Sequence, residues 1–371
     1  MSIPSPTRVI VGLSGGVDSA VAALLLQERG WDVQGLFMSN WDEADDSYCT
    51  AAEDYQDARA VAGELGIPLH RASFAAEYRA RVFEYFLAEQ RAGRTGNPDI
   101  LCNREIKFGV AMRYAARLGA ACFATGHYAR LLLGATGVEL HKARDRSKDQ
   151  SYFLHAVART QLERTLMPLG EMAKSEVRER ARRAGLHVYD KPDSTGICFI
   201  GERPFRDFLA RFLPDTPGAI ESPDGVHLGT HRGLAFYTLG QREGLSVGGQ
   251  RGFTQAPWFV AAKDSRRNVL IVVQGHDHPL LSSGELATGV VHWLKQAPST
   301  TFRAQVKLRY RQADQPCRVE PLADGAARIV FDEPQRAVTP GQYAVLYDAD
   351  QCIGGAVIES VGSQSRLSAA A

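Results

Sequence analysis

The N-terminal half of the chain predicts an α/β fold built on a doubly wound parallel sheet, and three observations carry that prediction. Short β-branched runs alternate with amphipathic stretches, the order that produces parallel strands with helices on both faces. The run Arg8 to Gly12 passes directly into Ser14-Gly15-Gly16-Val17-Asp18-Ser19, and Val17, Ala20, Val21, Leu24 and Leu25 then repeat at helical spacing. Ser14 to Ser19, Met38 and Gly126 all fall where strands are expected to end, and the carboxyl edge of such a sheet is where ligands bind.

Taken in order, residues 31–38 read as a second strand, 51–65 as a helix stopped by Gly66, and 67–72 as a third strand. Residues 77–89 and 105–118 read as helices, and 121–125 as a strand of small residues running into Gly126-His127-Tyr128. Past Lys191 glycine and proline become frequent and helical periodicity fades, which places a boundary near 205. The Gly-rich stretch 238–249 lies between short apolar runs and suggests a small mixed domain. Runs at 287–293, 302–309, 317–321, 327–331, 343–347 and 352–361 are spaced like the strands of a small barrel. The expected domains are therefore 1–204, catalytic; 205–280, small and central; and 281–362, a β-barrel, followed by a disordered tail at 363–371.

Composition sets limits on function. The chain of 371 residues is 44% hydrophobic and 23% charged, an ordinary soluble balance, and no apolar run approaches a membrane span. With no signal-like N-terminus, the cytoplasm is the expected location. Six cysteines are scattered without a C-x-x-C pair, which disfavours both a disulfide framework and a zinc ribbon. The net charge of +1 excludes nucleic-acid binding by bulk charge, but residues 141–183 carry a local excess of Lys and Arg suited to a polyanion. The part of that excess in residues 174–183 reads as a solvated helix face.

The loop 14–19 has the chemistry of a phosphate cradle. Adjacent glycines can take positive φ and leave room for an oxyanion, and the first amides of the following helix point toward it. It lacks the Lys of the nucleoside-triphosphatase loop, so Ser14, Ser19 and backbone amides carry the contact. Cys102 follows Asn97-Pro98-Asp99 at an expected helix start, with Arg104 and Lys107 nearby, a setting that lowers a thiol pKa, and Asp99 is within reach as a proton acceptor. A cysteine in that setting is also consistent with a buried small residue. Cys198, in Gly196-Ile-Cys-Phe-Ile-Gly201, is the second thiol of interest. Met38 and Gly126 suit adenine and ribose, but each also reads as a core residue or a turn. His127 reads equally as a hydrogen-bonded strand-end histidine, and Tyr310 as an ordinary strand aromatic.

Ser-Gly-Gly-x-Asp-Ser after a strand resembles the loop of the ATP pyrophosphatases. Together with Asn97-Pro98-Asp99 and Cys102, Thr125-Gly-His-Tyr128, Lys148-Asp-Gln-Ser-Tyr-Phe153 and Gly196-Ile-Cys-Phe199, it resembles the bacterial tRNA-specific 2-thiouridylases over nearly the whole chain. The resemblance implies ATP contacts at Gly12, Leu13, Ser14, Gly15, Gly16, Val17, Asp18, Ser19, Met38 and Gly126. It implies that Cys198 carries a persulfide, that Cys102 is the partner thiol closing a disulfide with it, and that Asp99 is the acid/base. Asn97, Pro98 and Asp99 would meet the target base; His127, Lys148, Asp149, Gln150, Arg309, Tyr310 and Gln342 would meet tRNA. The reaction implied is adenylation of the C2 oxygen of a wobble uridine and its replacement by sulfur from a persulfide relay protein or cysteine desulfurase. Mg²⁺ would accompany ATP, with Asp18 its candidate ligand.

Two other classes share part of this pattern. A ligase with the same loop would adenylate a small molecule and add an amine, but it would not need paired thiols. A nucleotide-gated RNA-binding protein would need neither Asp99 nor the cysteines.

Overall fold

The computed structural model describes residues 7–41, 51–193, 205–249 and 252–362. Cys49, Cys198 and the expected tail at 363–371 lie outside them. The chain divides into two compact units, residues 1–84, 98–203 and 348–354, and residues 85–97, 204–347 and 355–371.

The first unit is the doubly wound α/β sheet. Strand β1 (Arg8–Gly12) is fully apolar from Val9 to Val11, and all three residues are completely buried, each contributing roughly 1.5–3 kcal/mol of transfer free energy. Helix α1 (Val17–Glu28), β2 (Asp32–Ser39), α2 (Ala51–Leu65) and β3 (Leu69–Ser73) follow in the expected alternation. With β4 (Cys122–Ala124) and β7 (Thr165–Leu166) the parallel order is β3-β2-β1-β4-β7. Val9 pairs with Val33 on one side and with Cys122 on the other. The order therefore reverses between β1 and β4, and their carboxyl ends form the crevice in which this class of sheet binds ligands. Helix α1 buries Val17, Ala20, Val21, Ala22, Ala23 and Leu26, more than one face, because it packs under the sheet beside helix α3 (Lys174–Arg183).

Two local expectations are corrected, and one element was not expected. The helix expected from Glu105 begins at Pro98 and continues as a π-helix over Cys102–Ala111. Proline at a helix start forfeits no hydrogen bond and Asp99 complements the first turn, so the Pro-containing stretch is the helix N-terminus and not a loop before it. A hairpin, β5 (Ala129–Gly134) with β6 (Gly137–Lys142), was not expected; its tight connection uses Gly137 at φ +121°. The strand expected at 287–293 is instead the end of β12 (Ser282–Thr288) and the short β13 (His292–Trp293), interrupted at Gly289.

The second unit holds two sheets. The order β10 (Trp258–Asp264), β11 (Val269–Gln274), β8 (Gly218–Glu221), β9 (His227–His231) is mixed, with β11 parallel to β8 and the other pairs antiparallel. This is the small mixed domain. Strands β12, β16 (Ala327–Arg336), β15 (Gln315–Pro321), β14 (Phe302–Lys307), β17 (Tyr343–Asp348) and β18 (Gln351–Val361) are neighbours in that order, and Leu286 pairing with Val361 closes them into a six-stranded barrel. Closure removes the exposed edges an open sheet would present.

One half-buried charge in this unit yields a pH prediction. Lys263 of β10 donates to the Gly93 carbonyl at 2.9 Å, and burial pushes its ammonium down to about 8. The unfolded chain holds that proton more tightly than the folded one, so stability rises as pH increases from about 8 toward the ordinary lysine value of 10.5. Relative to Lys263→Met, the wild type should gain on the order of 2 kcal/mol between these limits. Parallel thermal melts of the two proteins across that range check it; a constant difference would show that Lys263 is solvated.

Candidate active site

The loop after β1 sits at the switch point of the sheet. Gly15 has φ +77°, a conformation open to glycine, and a Cβ there would lie 2.3 Å from the Asp54 carbonyl oxygen of α2. Ser14 N–H donates to Ser19 Oγ at 3.1 Å, the two hydroxyls are 3.2 Å apart, and Ser19 Oγ donates to the Gly16 carbonyl. These bonds hold the loop's curvature from within. The first amides of α1, from Val17 on, have no partner inside the helix and supply the donors an anion needs. Gly12 lies in van der Waals reach of Met38, whose methyl carbon would be 3.4 Å from a Cβ at that position. Gly126, at the end of β4, packs on the backbone of Asp18 and Ser19 so closely that a Cβ would lie 2.7 Å from the Asp18 carbonyl carbon. The expected residues Gly12 to Ser19, Met38 and Gly126 are therefore one neighbourhood.

The sequence reading missed the charge at its centre. Lys174, the first residue of α3, is 9% exposed and donates to both carboxylate oxygens of Asp18, at 2.7 and 2.8 Å. It is the buried start of a run read as solvated, a reading that holds at its end, where Arg182 and Arg183 pair with Glu179 at the surface. Tyr128 donates its hydroxyl to Asp18 Oδ1 at 2.7 Å; burial, then the Asp18 charge, push that phenol far above its ordinary range, so it remains a donor. Lys174 also meets Asp193 at 2.7 Å, and Lys148 and Arg178 meet the same carboxylate. Burial opposes the charge of Asp193, but the hydrogen bonds of Lys148 and Lys174 outweigh it and hold Asp193 at about 2. Lys191 bonds the Gly15 carbonyl, Asp54 and Asp57, tying α2 to the loop. The cation that the loop motif lacks is thus supplied from distant positions in the chain.

The other expected site residues fall into separate settings. Cys102 is buried, 1% exposed, at the start of the π-helix, a conformation that is rare and often found at functional sites. It stands in the second turn after Pro98, where the helix-terminus field is already weaker than at the start assumed from sequence. Asn103 beside it donates to the Asp99 carbonyl at 3.0 Å. In the second unit Asn97 donates to Gln342 at 3.5 Å, and Gln342 donates to the Thr95 carbonyl at 3.0 Å. His127 is buried, bonded to Thr125 Oγ1 at 2.8 Å, with its ring tilted by 37° against Phe108 at 5.8 Å. Burial, then the charge of Lys107, depress its pKa, so the imidazole is neutral and offers a hydrogen bond and no charge.

Asp149 is buried and accepts from Ala143 N, Ser151 N and Ser151 Oγ, while Gln150 bonds the Tyr128 amide. Lys148 spends its ammonium on Asp193. Of the cysteines outside these motifs, burial pushes Cys317 up to about 12 and raises Cys122 as well. Among the described residues no three His, Cys, Asp or Glu side chains gather as a metal cage, and no helix is long and apolar enough to cross a membrane. Both oxygens of Asp18 are occupied by Lys174 and Tyr128, so a cation held by Asp18 would have to displace the ammonium.

Comparison with known proteins places this geometry. Residues 7–202 match the family described as tRNA methyl transferase HUP domain, 206–274 the tRNA methyl transferase PRC-barrel domain, and 283–358 the aminomethyltransferase beta-barrel domain. The tRNA-specific 2-thiouridylase MnmA of Chromohalobacter salexigens is 59% identical over 360 residues, 96% of this chain and 94% of that protein. The proteins of the same name from Marinobacter nauticus and Vibrio cholerae are 56% and 54% identical, with 96% of this chain and 92% and 98% of theirs aligned. At that identity over nearly the full length of both partners, the chain belongs to the tRNA-specific 2-thiouridylase family.

Proposed function

We propose that this chain is an ATP-dependent tRNA-uridine 2-sulfurtransferase that activates the C2 oxygen of a wobble uridine and exchanges it for sulfur. The observation that carries the reading is the loop Gly12 to Ser19 at the sheet's switch point, with Lys174 drawn onto Asp18. That arrangement suits the phosphates of ATP: amides of α1 and a buried ammonium meet the leaving pyrophosphate. The family descriptions mention methyl transfer, but S-adenosylmethionine, the usual methyl donor, carries no phosphate to occupy such a loop. Met38 and Gly126 then flank the adenosine, and Mg²⁺ enters with the phosphates.

In the first half-reaction the uridine C2 oxygen attacks the α-phosphorus and pyrophosphate leaves. In the second, the terminal sulfur of a persulfide on Cys198 attacks C2, AMP leaves with the oxygen, and the base is held through a C2–S–S link. Cys102 attacks Cys198 Sγ, the S–S bond to the base breaks to leave the thiocarbonyl, and a Cys102–Cys198 disulfide remains for an external thiol to reduce. Asn97, Pro98 and Asp99 position the base, with Asp99 moving the proton. The sulfur is supplied by a persulfide relay protein or cysteine desulfurase. Domain 1–204 performs the chemistry; 205–280 and the barrel 281–362 hold the RNA through Arg309, Tyr310 and Gln342, with His127 and Lys148 to Gln150 adding contacts from the first. The decisive test is pyrophosphate release that requires both ATP and tRNA lacking the modification. Release with ATP and a small amine acceptor, and none with tRNA, would favour the ligase reading.

A further inference from the structure

Three cations of the first unit converge on one carboxylate beside the phosphate loop. Lys148 and Lys174 each meet Asp193 at 2.7 Å, and Arg178 meets it at 3.1 Å. Lys174 holds Asp18 with the same ammonium, so the Asp193 carboxylate stands one ammonium away from a residue of the loop. Lys191 donates to the Gly15 carbonyl at 3.2 Å, which lays the segment leading into Asp193 against that loop. Arg178 is fixed independently of Asp193, since its Nη1 and Nη2 donate to the Tyr189 and Lys191 carbonyls, both at 3.0 Å.

Such a gathering is an anion site. Ammonium and guanidinium donors that converge on a carboxylate suit phosphate oxygens equally well, and here the chain fills the site with an anion of its own. Burial opposes the charge of Asp193, but the hydrogen bonds of Lys148 and Lys174 hold it at about 2, so the carboxylate is ionised. With 35% of its side chain exposed, it can turn out to water without carrying a charge into the core. The nearby Asp145 carboxylate is held differently: it accepts from the Lys174 amide and from the amide and hydroxyl of Ser147, neutral donors that tie it to the backbone. Asp193 is therefore the acid that an incoming phosphate would replace. The exchange also bears on Lys148, whose ammonium lies on Asp193 although an RNA contact needs it elsewhere.

We propose that Asp193 is a resident anion that the terminal phosphates of ATP displace from Lys174 and Arg178, and that its departure releases Lys148 to the RNA backbone. ATP and tRNA then bind cooperatively, because one ligand removes the carboxylate that occupies a cation the other needs. No covalent bond changes: a carboxylate leaves its cations for water, and phosphate oxygens of higher total charge take its place. The inference rests on the reading of the loop as an ATP site and of Lys148 as an RNA contact. It adds Arg178, Asp193 and an energetic coupling between the two ligands.

The test uses the full chain, tRNA lacking the modification, Mg²⁺ and α,β-methylene ATP, which cannot release pyrophosphate, so binding is read without turnover. In the wild type the analogue should raise tRNA affinity roughly tenfold, and tRNA should raise analogue affinity by the same factor, as linkage requires. Asp193→Asn should bind tRNA alone about as tightly as the wild type does with the analogue. It should also bind the analogue more tightly in the absence of tRNA, and the coupling should vanish. Lys148→Met should lose the coupling in the opposite sense, with tRNA affinity low whether or not the analogue is present. Asp193→Glu, which keeps the charge, should retain most of the coupling. Weaker binding of both ligands by a folded Asp193→Asn would make Asp193 a structural brace and overturn the proposal. Should Asp193→Asn fail to fold, Lys148→Met decides, and coupling equal to that of the wild type overturns the proposal. A wild type that binds analogue and tRNA with no mutual effect overturns the coupling alone, whereas a wild type that binds neither overturns the functional reading beneath it.

Discussion

Cys198→Ser should release pyrophosphate in a tRNA-dependent manner at close to the wild-type rate and yield no thiolated uridine. The two half-reactions use different atoms: activation needs ATP and the uridine oxygen, whereas substitution needs sulfur on a thiol, and a serine hydroxyl carries no persulfide. Cys102→Ser should also fail to turn over, but for the complementary reason. It should accumulate persulfide sulfur on Cys198, joined to the base through the C2–S–S link once the activated tRNA is attacked, because the thiol that releases the product is missing. In the wild type a single turnover without reductant should leave the two cysteines joined, which requires their Cα atoms to come within about 7 Å. Cys102 is buried in the structure, so the approach of a partner must coincide with an opening of its surroundings, as happens when substrate binding rearranges an active-site loop. Peptide mapping after one turnover decides it: thiolated tRNA together with two free thiols would mean that sulfide attacks the activated base without a covalent carrier.

Lys174→Met should lower pyrophosphate release by about 10²–10³-fold, the range for removing one preorganised charge from a developing anion. Affinity for tRNA should change little, since Lys174 lies beneath the loop. The substitution also strands the Asp18 carboxylate, and because that side chain is one-third exposed the loss should fall below the roughly 3–5 kcal/mol of a fully buried pair, so the melting temperature must be measured alongside the rate. Lys174→Met combined with Asp18→Asn removes the stranded charge and should regain stability without regaining rate. A rate within about twofold of wild type in the single variant would assign Lys174 to structural pairing alone.

Why Lys174 escaped the sequence reading is a matter of distance. It is 156 residues from Asp18, at the head of a basic run whose last members, Arg182 and Arg183, do face solvent, and local periodicity cannot tell which residue of such a run turns inward. The loop itself was legible because the glycines, the preceding β-branched strand and the apolar helix spacing are all short-range signals. The parallel sheet followed from alternation, and the barrel from strand spacing. The hairpin 129–142 was not legible: its turn, at Ala135-Thr136 ahead of Gly137, lacks the Asn-Gly or Asp-Gly signature that marks tight hairpins. The helix of Cys102 starts earlier than its periodicity suggests because the Pro-containing stretch, which reads as a loop, is where proline initiates it. His127, Asp149 and Gln150 illustrate a further limit, since a motif shared with a family says that residues matter, whereas only the hydrogen bonds to Thr125, Ser151 and Tyr128 show how much of each side chain is already committed to the fold.

The central claim is the replacement of a uridine oxygen by sulfur, and nucleoside mass spectrometry measures it most directly. Transfer RNA lacking the modification is incubated with this protein, ATP, Mg²⁺ and a persulfide source, then digested to nucleosides. A uridine heavier by the difference between one sulfur and one oxygen, formed only when ATP is present, is the predicted result. Unchanged uridine in the presence of ATP hydrolysis to AMP and pyrophosphate, or a methylated nucleoside in its place, would contradict the account.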